Sequence, residues 1–390
     1  MKVLLNGQAL QAPLTGIGNY TLHLMQALQQ LPNITAVDCF FGNQFLSAQH
    51  VLERMQGHVH ADSIAEPSVQ PTLAQSVKQL ARTMPFAYAA RDWWLSQGFL
   101  QQAKQNCYQV YHEPNFILKN YHGPAVTTVH DLSFLYYPEY HPAERVRWLQ
   151  RELPKTLARA DRILTDSERV KQELLESFNV PADKVHAIHL GVSDQFRPQS
   201  RADCADILAA WQLRYKSYVL FVGTIEPRKG IATLLAAWLK LPKAIQKECP
   251  LVIAGAPGWK NSALLKQIQQ LQQQHPIHLL PYVADALLPY LYAGARVFAY
   301  PSVYEGFGLP VLEALASGVP VICGRHTAMA EFAQGASLVD EVESVEQWHA
   351  HLKQLLTDNQ QLALADCQRA HTFTWQRCAQ LTAKVYGELN

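Results

Sequence analysis

Glu305-Gly-Phe-Gly-Leu-Pro-Val-Leu-Glu313, just downstream of the apolar run Ala295 to Pro301 (ARVFAYP), reads as a buried strand, a glycine-bearing turn and the start of a helix. Pro310 suits the first position of that helix, because its fixed φ is already helical and an N–H there would have no intrahelical acceptor. Free N–H groups at such a helix start, near Leu309, together with those of Gly306, Phe307 and Gly308, favour an anionic or hydroxyl-rich ligand. Glu305 on the turn and Glu313 on the first turns of the helix can accept hydrogen bonds from sugar hydroxyls. On these nine residues alone, a loop carboxylate and a helix residue favoured by the macrodipole fit equally well.

A second motif lies upstream. Phe221-Val-Gly-Thr-Ile-Glu-Pro-Arg-Lys-Gly230 follows the apolar run Tyr218 to Val222 and precedes the helical pattern ATLLAAWLKL. Strand, cationic turn and helix start are the parts of a phosphate site. Arg228 offers a forked guanidinium and Lys229 a compact ammonium, and the two together could neutralise a diphosphate leaving group. An exposed basic turn is the alternative.

Around these motifs, short apolar runs alternate with helical patterns along the whole chain. KVLLNG, VDCFFG, QVYHEP, AVTTVHD and RILTDS form the series in the first half, and YVLFVG, LVIAG, IHLLPYV, RVFAYPS and PVICG in the second. Such alternation predicts an α/β protein with parallel sheets covered on both faces. Its 390 residues suit two domains, and an apolar fraction of 48% can fill both cores. Glycine and proline interrupt the pattern between Gly191 and Pro198. The expected division is therefore 1–196, 197–371 and a helical tail 372–390 that carries Trp375.

A net charge of +1 gives no global pull toward nucleic acid, so anion recognition must be local. The seven cysteines include no Cys-x-x-Cys pair, which argues against a disulfide framework or structural zinc and for a reducing, cytoplasmic setting. The start of the chain lacks the sustained apolar region of a signal peptide, and no stretch approaches the ~20 apolar residues of a spanning helix. Gly7 and Gly16-Ile-Gly18 do not make G-x-G-x-x-G directly after the first strand, which disfavours a nicotinamide enzyme.

Taken with Thr15-Gly-Ile-Gly-Asn-Tyr20, Thr127-Thr-Val-His-Asp-Leu132 and Thr165-Asp-Ser-Glu168, the two motifs make the chain resemble the retaining GT-B glycosyltransferases of family 4 from Met1 to its last helix. Within that family it is most similar to bacterial enzymes that move mannose, or a related 6-deoxyhexose such as D-rhamnose, from a GDP-sugar to a surface polysaccharide (O-antigen or lipopolysaccharide) or its lipid-linked precursor. The resemblance implies two Rossmann-like domains facing a central cleft, the first for acceptor and the second for donor, with the tail crossing back to the first. It also implies front-face displacement. Arg228 and Lys229 would stabilise charge growing on the diphosphate, Glu305 would hold sugar hydroxyls, and Glu313 the ribose. His130, at the end of its strand, would lie near the transferred sugar without acting as a general base; a histidine satisfied structurally fits that position too. Gly16, Ile17 and Gly18 would let backbone approach the diphosphate, and Val283 falls where relatives bind the base. Many relatives carry arginine where this chain has Thr224, and Arg228 is expected to replace it.

No Asp-x-Asp ends a strand, so no metal and no cofactor are expected beyond the donor substrate, GDP-mannose or GDP-D-rhamnose. UDP or ADP donors, a silent GT-B carbohydrate-binding scaffold, and an epimerase or phosphorylase are the alternatives. Residues Gln79 to Leu100, with Arg82, Phe86, Tyr88, Arg91, Trp93 and Trp94, and the stretch Arg145, Arg147, Trp148, Arg151, Lys155, Arg159 and Arg162 mix cations with aromatics. Each could rest peripherally on the anionic inner-membrane surface beside a lipid-linked acceptor, or be an ordinary helix with a solvated basic face.

Overall fold

In the computed structural model the described residues are 1–11, 14–62, 96, 97, 99, 100, 102, 103, 107–280, 283–358 and 362–389, with side chains 56–62 left aside. The aromatic and basic residues of the Gln79 to Leu100 segment lie outside them, apart from Phe99. Two compact units make up the chain: 1–189 with 375–390, and 190–374. The Gly191 to Pro198 stretch belongs to the second unit. Val192 forms a bridge to Thr374, its N–H donating to the Phe373 carbonyl at 2.9 Å.

The first unit is built on a seven-stranded sheet: β1 (Lys2–Asn6), β2 (Ala36–Phe41), β3 (Gln44–Ser47), β4 (Val110–Glu113), β5 (Ala125–Val129), β6 (Arg162–Thr165) and β7 (Val185–Ala187), in the order β3-β2-β1-β4-β5-β6-β7. β4 and β5 are buried at every position, as central parallel strands covered on both faces must be. One strand departs from the all-parallel expectation. β3 turns back antiparallel on β2, because only Gly42 and Asn43 separate them and Gly42 adopts φ +63°, which suits a two-residue hairpin.

The last helix, Trp375–Gly387, belongs to this unit and packs against Gly16–Leu28. Trp375 stacks on His23 with ring centroids 4.9 Å apart, and the Tyr386 hydroxyl meets His112 Nδ1 at 2.6 Å.

The second unit holds a six-stranded, wholly parallel sheet: β8 (Val219–Val222), β9 (Leu251–Ala254), β10 (Ile277–Leu280), β11 (Val297–Tyr300), β12 (Val321–Gly324) and β13 (Ser337–Val339), in the order β10-β9-β8-β11-β12-β13. Helices Ile231–Leu239 and Val345–Thr357 cover it and bury Trp238 and Trp348 completely. Both indoles donate to backbone carbonyls, of Cys249 and Val342, so their apolar bodies are buried without an orphaned N–H. The three-residue β13 was not legible as a strand.

Both sheets reverse direction of growth at one place: between β1 and β4, and between β8 and β11. In open parallel sheets the crevice beyond the carboxyl ends of such a strand pair is where ligands bind.

Among surface elements, helix Ala143–Arg159 lays Trp148 against the first unit's core and turns Arg147, Arg151 and Lys155 to solvent, 56% to 70% exposed. Glu144 pairs with Arg147, and Glu152 with Arg151 and Lys155, while Arg162 lies on β6 and reaches Glu388. No described helix is long and apolar enough to cross a membrane. All seven cysteines are free thiols.

Candidate active site

The second unit gathers its motif residues at the carboxyl ends of β8 and β11. After β8 the chain runs through Gly223 and Thr224 into the 3-10 turn Pro227–Lys229, and after β11 through Ser302 to Glu305. The two segments are tied by backbone: the Val303 N–H donates to the Arg228 carbonyl at 3.0 Å, and Ser302 Oγ lies 3.3 Å from the same oxygen. Gly230 makes the approach possible. It sits at φ +65°, and a Cβ there would stand 2.1 Å from the Pro301 carbonyl oxygen. On its other flank the β8 loop is held by the loop after β9, with Ile225 N–H on Ala256 O at 2.9 Å and Gly258 N–H on Ile225 O at 3.0 Å.

Lys229 and Glu305 form a buried ion pair, with Nζ 2.5 Å from Oε1. A second Lys229 N–H donates to the Tyr300 hydroxyl at 3.0 Å, and the third meets no acceptor among the described residues. Burial, reinforced by the neighbouring Arg228 guanidinium, holds Lys229 below the usual lysine range; Glu305 opposes that shift. Burial acts to raise the Glu305 carboxyl, but the Lys229 and Arg228 charges prevail and keep it below the usual carboxylate range.

Arg228 is buried rather than turned to solvent. One Nη donates to the Tyr304 carbonyl at 2.5 Å and lies 3.6 Å from Glu305, and the other meets Glu226 at 2.9 Å. The two cations therefore stand against two carboxylates, Glu226 and Glu305. In the sequence the pair read as a free clamp; folding has balanced its charge within the protein. Glu226, Tyr300 and Ser302 were not singled out from sequence, although Glu226 lies only two residues before Arg228.

Gly306, Phe307 and Gly308 follow on, all buried. Phe307 packs on Phe332 with ring centroids 4.6 Å apart. Gly308, at φ +103°, caps helix Leu309–Ala316, and Pro310 is its second residue. The N–H groups of Gly308 and Leu309 donate to no protein acceptor among the described residues, as a helix start requires if it is to bind an anion. Glu313, partly exposed on that helix, is pushed up to about 7 by burial, with the nearby Tyr292 hydroxyl lowering it and Asp285 adding to the rise. Thr224 is exposed and Val283 buried.

The remaining predicted residues belong to the first unit. Gly16, Ile17 and Gly18 open helix Gly16–Leu28. A Cβ at Gly16 would meet nothing within 4 Å, whereas one at Gly18 would stand 2.7 Å from the Ala9 carbonyl oxygen, so Gly18 serves packing and Gly16 leaves open space. His130 is buried with both ring nitrogens engaged, Nδ1 by Asp166 at 2.7 Å and Nε2 by the Pro114 carbonyl at 2.7 Å. Burial lowers its pKa, but the Asp166 carboxylate more than offsets this, and the net direction is upward. For a ring nitrogen to hydrogen-bond a sugar, one of those bonds must be exchanged. Asp166, in the segment Thr165-Asp-Ser-Glu168, orients the ring and was also missed as a site residue. At the first unit's own strand-order reversal, Asn6 from the end of β1 donates to Glu113 from the end of β4 at 2.6 Å.

Comparison with known proteins agrees with this architecture. Residues 14–196 match the family model described as Glycosyltransferase Family 4, and residues 211–370 the one described as Glycosyl transferases group 1. The chain is 35% identical to O-antigen chain mannosyltransferase B of Escherichia coli over 99% of each protein. It is 23% identical to the O-antigen chain mannosyltransferase RfbU of Salmonella typhimurium over 87% of each. Among solved structures, sucrose-phosphate synthase from Thermosynechococcus elongatus superposes with a TM-score of 0.73 at 20% identity, covering 100% of this chain and 98% of that one. With two Rossmann-like units, each carrying its half of the match, the chain belongs to the family 4 type of GT-B glycosyltransferases.

Proposed function

We propose that this glycosyltransferase moves mannose, or a D-rhamnose-like hexose, from a GDP-sugar to a saccharide or lipid-linked saccharide in O-antigen synthesis, with retention at the anomeric carbon. The observation that carries the reading is the buried Lys229–Glu305 pair at the carboxyl ends of β8 and β11, beside a helix start with unused N–H groups. The relatives named as O-antigen mannosyltransferases supply the sugar and the pathway.

In this reading the donor diphosphate takes the remaining Lys229 N–H and the N–H groups of Gly308 and Leu309. Glu305 accepts from sugar hydroxyls, and Glu313 from the ribose. As the bond from the anomeric carbon to the phosphate oxygen breaks, negative charge grows on the diphosphate. Lys229 is already desolvated and in place, so it stabilises that charge with little reorganisation. The acceptor oxygen forms its bond on the same face, and its proton passes to the departing phosphate. Arg228 adds charge at one remove while holding the Tyr304 carbonyl. His130, with Asp166 behind it, is the first unit's candidate residue for the transferred sugar.

In this reading the growing charge is met by hydrogen bonds from Lys229 and from the Gly308 and Leu309 N–H groups, and the proposed reaction needs no metal. The solvent-facing cations of helix Ala143–Arg159 provide peripheral contact with an anionic membrane that carries the acceptor.

Thermal unfolding with GDP, GDP-mannose, UDP and ADP, with and without EDTA, tests the donor, since a ligand of the folded state alone raises the midpoint. A shift specific to GDP and unaffected by EDTA is expected. A UDP or ADP shift would replace the donor, and no shift with any nucleotide would leave a silent scaffold. Proton NMR of the first-formed product, showing the donor's α configuration, tests retention.

A further inference from the structure

A hollow of about 590 Å³ opens at the opposite edge of the second unit's sheet. Its lining includes Ser217, just before β8, Cys249, just before β9, and Arg296, immediately before β11, so it faces the amino ends of strands whose carboxyl ends carry Lys229 and Glu305. Three arginines converge on it: Arg201, Arg214 and Arg296. Glu248 is the only carboxylate of its lining, and none of the three guanidinium groups is ion-paired among the described residues.

Arg296 is the innermost. One of its Nη groups donates to the Leu356 carbonyl at 2.6 Å, while its Nε is buried with no protein acceptor. A buried guanidinium N–H without an acceptor is costly unless something else accepts it. Arg201 lies 5.9 Å from the centroid of the Tyr215 ring, and the Lys216 ammonium 5.6 Å from the same ring, adding a fourth cation to this edge. Forked, permanently charged guanidinium groups in a concave surface match the tetrahedral oxygens of a phosphate. The volume lies within the range of small-molecule sites.

We propose that this hollow is a second anion site of the glycosyltransferase, for a small molecule bearing a phosphate or diphosphate group, with Arg296 at its base and Arg214 and Arg201 at its rim. The site does not depend on the donor reading, because it shares no residue with the candidate active site.

Calorimetric titration of the full chain with inorganic pyrophosphate tests it, in the parent, in Arg214→Ala, Arg201→Ala and Lys229→Ala, and in Lys229→Ala combined with either arginine change. Arg214 and Arg201 are exposed, so both variants should keep the parent's melting midpoint without ligand. The expected result is a binding event weakened about tenfold or more in Arg214→Ala and in Arg201→Ala, as loss of a charged hydrogen-bond partner predicts, and retained in Lys229→Ala. A pyrophosphate event that persists in Lys229→Ala and is unchanged when Arg214 or Arg201 is also replaced would overturn the proposal, as would no event left in Lys229→Ala. If GDP fails to bind while pyrophosphate binding still depends on Arg214, the donor reading falls and the second site stands.

Discussion

At the scale of single residues, the balance between Lys229 and Glu305 decides both stability and turnover. Lys229→Ala leaves Glu305 and Glu226 buried with one cation fewer, and breaking a buried pair in this way costs about 3 kcal/mol. Urea unfolding should show that loss, and turnover in a sugar-transfer assay should fall by orders of magnitude. Near-normal turnover would remove Lys229 from the reaction. A different residue, Glu113, contributes a pH dependence of its own. Glu113 is fully buried and pushed up to about 7 by burial, even though Lys119 and hydrogen bonds from Asn6, Tyr111 and Asn115 act to lower it. Its folded pKa lies above the unfolded value, so the unfolded chain releases this proton first. Stability from this group is therefore lost as pH rises from about 4.5 to about 7. Glu113→Gln removes that penalty, and its stability relative to the parent should improve by about 2 kcal/mol between about pH 5 and pH 8. A difference that does not change with pH would mean the carboxyl is not raised. Neither feature was legible beforehand, because QVYHEP reads as a strand whatever its glutamate faces.

Between residue and domain, two elements illustrate what a motif can and cannot specify. The turn ending at Gly230 is a backbone device. Its positive φ and the Pro301 carbonyl oxygen 2.1 Å from a notional Cβ make Gly230→Ala strained on both counts, with an expected loss above about 2 kcal/mol. Because that contact joins the two motif segments, nucleotide-induced thermal shifts should shrink with it; a variant that keeps both stability and shift would show that the segments are positioned independently. Helix Ala143–Arg159 behaves in the opposite way. Its cations are exposed, and pairs of this kind add little. Arg147→Ala combined with Arg151→Ala should leave the melting midpoint within about 2 °C of the parent while reducing sedimentation with vesicles rich in anionic lipid. Equal sedimentation would assign the basic face to solvent alone. The sequence showed the amphipathic period of this helix but not that Glu144 and Glu152 neutralise part of its face.

For the whole molecule, the tail matters most. Trp375, Ala379 and Tyr386 are buried in the first unit although they lie at the far end of the chain, and the Tyr386 hydroxyl satisfies one nitrogen of His112. The other nitrogen meets Thr128, and burial holds the ring neutral, at about 3. Tyr386→Phe should cost about 1 to 2 kcal/mol by orphaning that nitrogen, read as an earlier unfolding step of the first unit in calorimetry. No change would mean that the ring finds another partner. By itself the sequence determined the alternation of strands and helices, the parallel sheets and the two motifs after β8 and β11, because buried parallel strands and glycine-bearing turns must be written locally in apolar runs and in residues that allow positive φ. Only the tertiary structure decided how charges were spent. Glu226 balances Arg228, Asp166 occupies His130, and three arginines from separate segments meet at one hollow. Such pairings depend on which strand ends lie side by side, and strand order is set by packing rather than by local sequence.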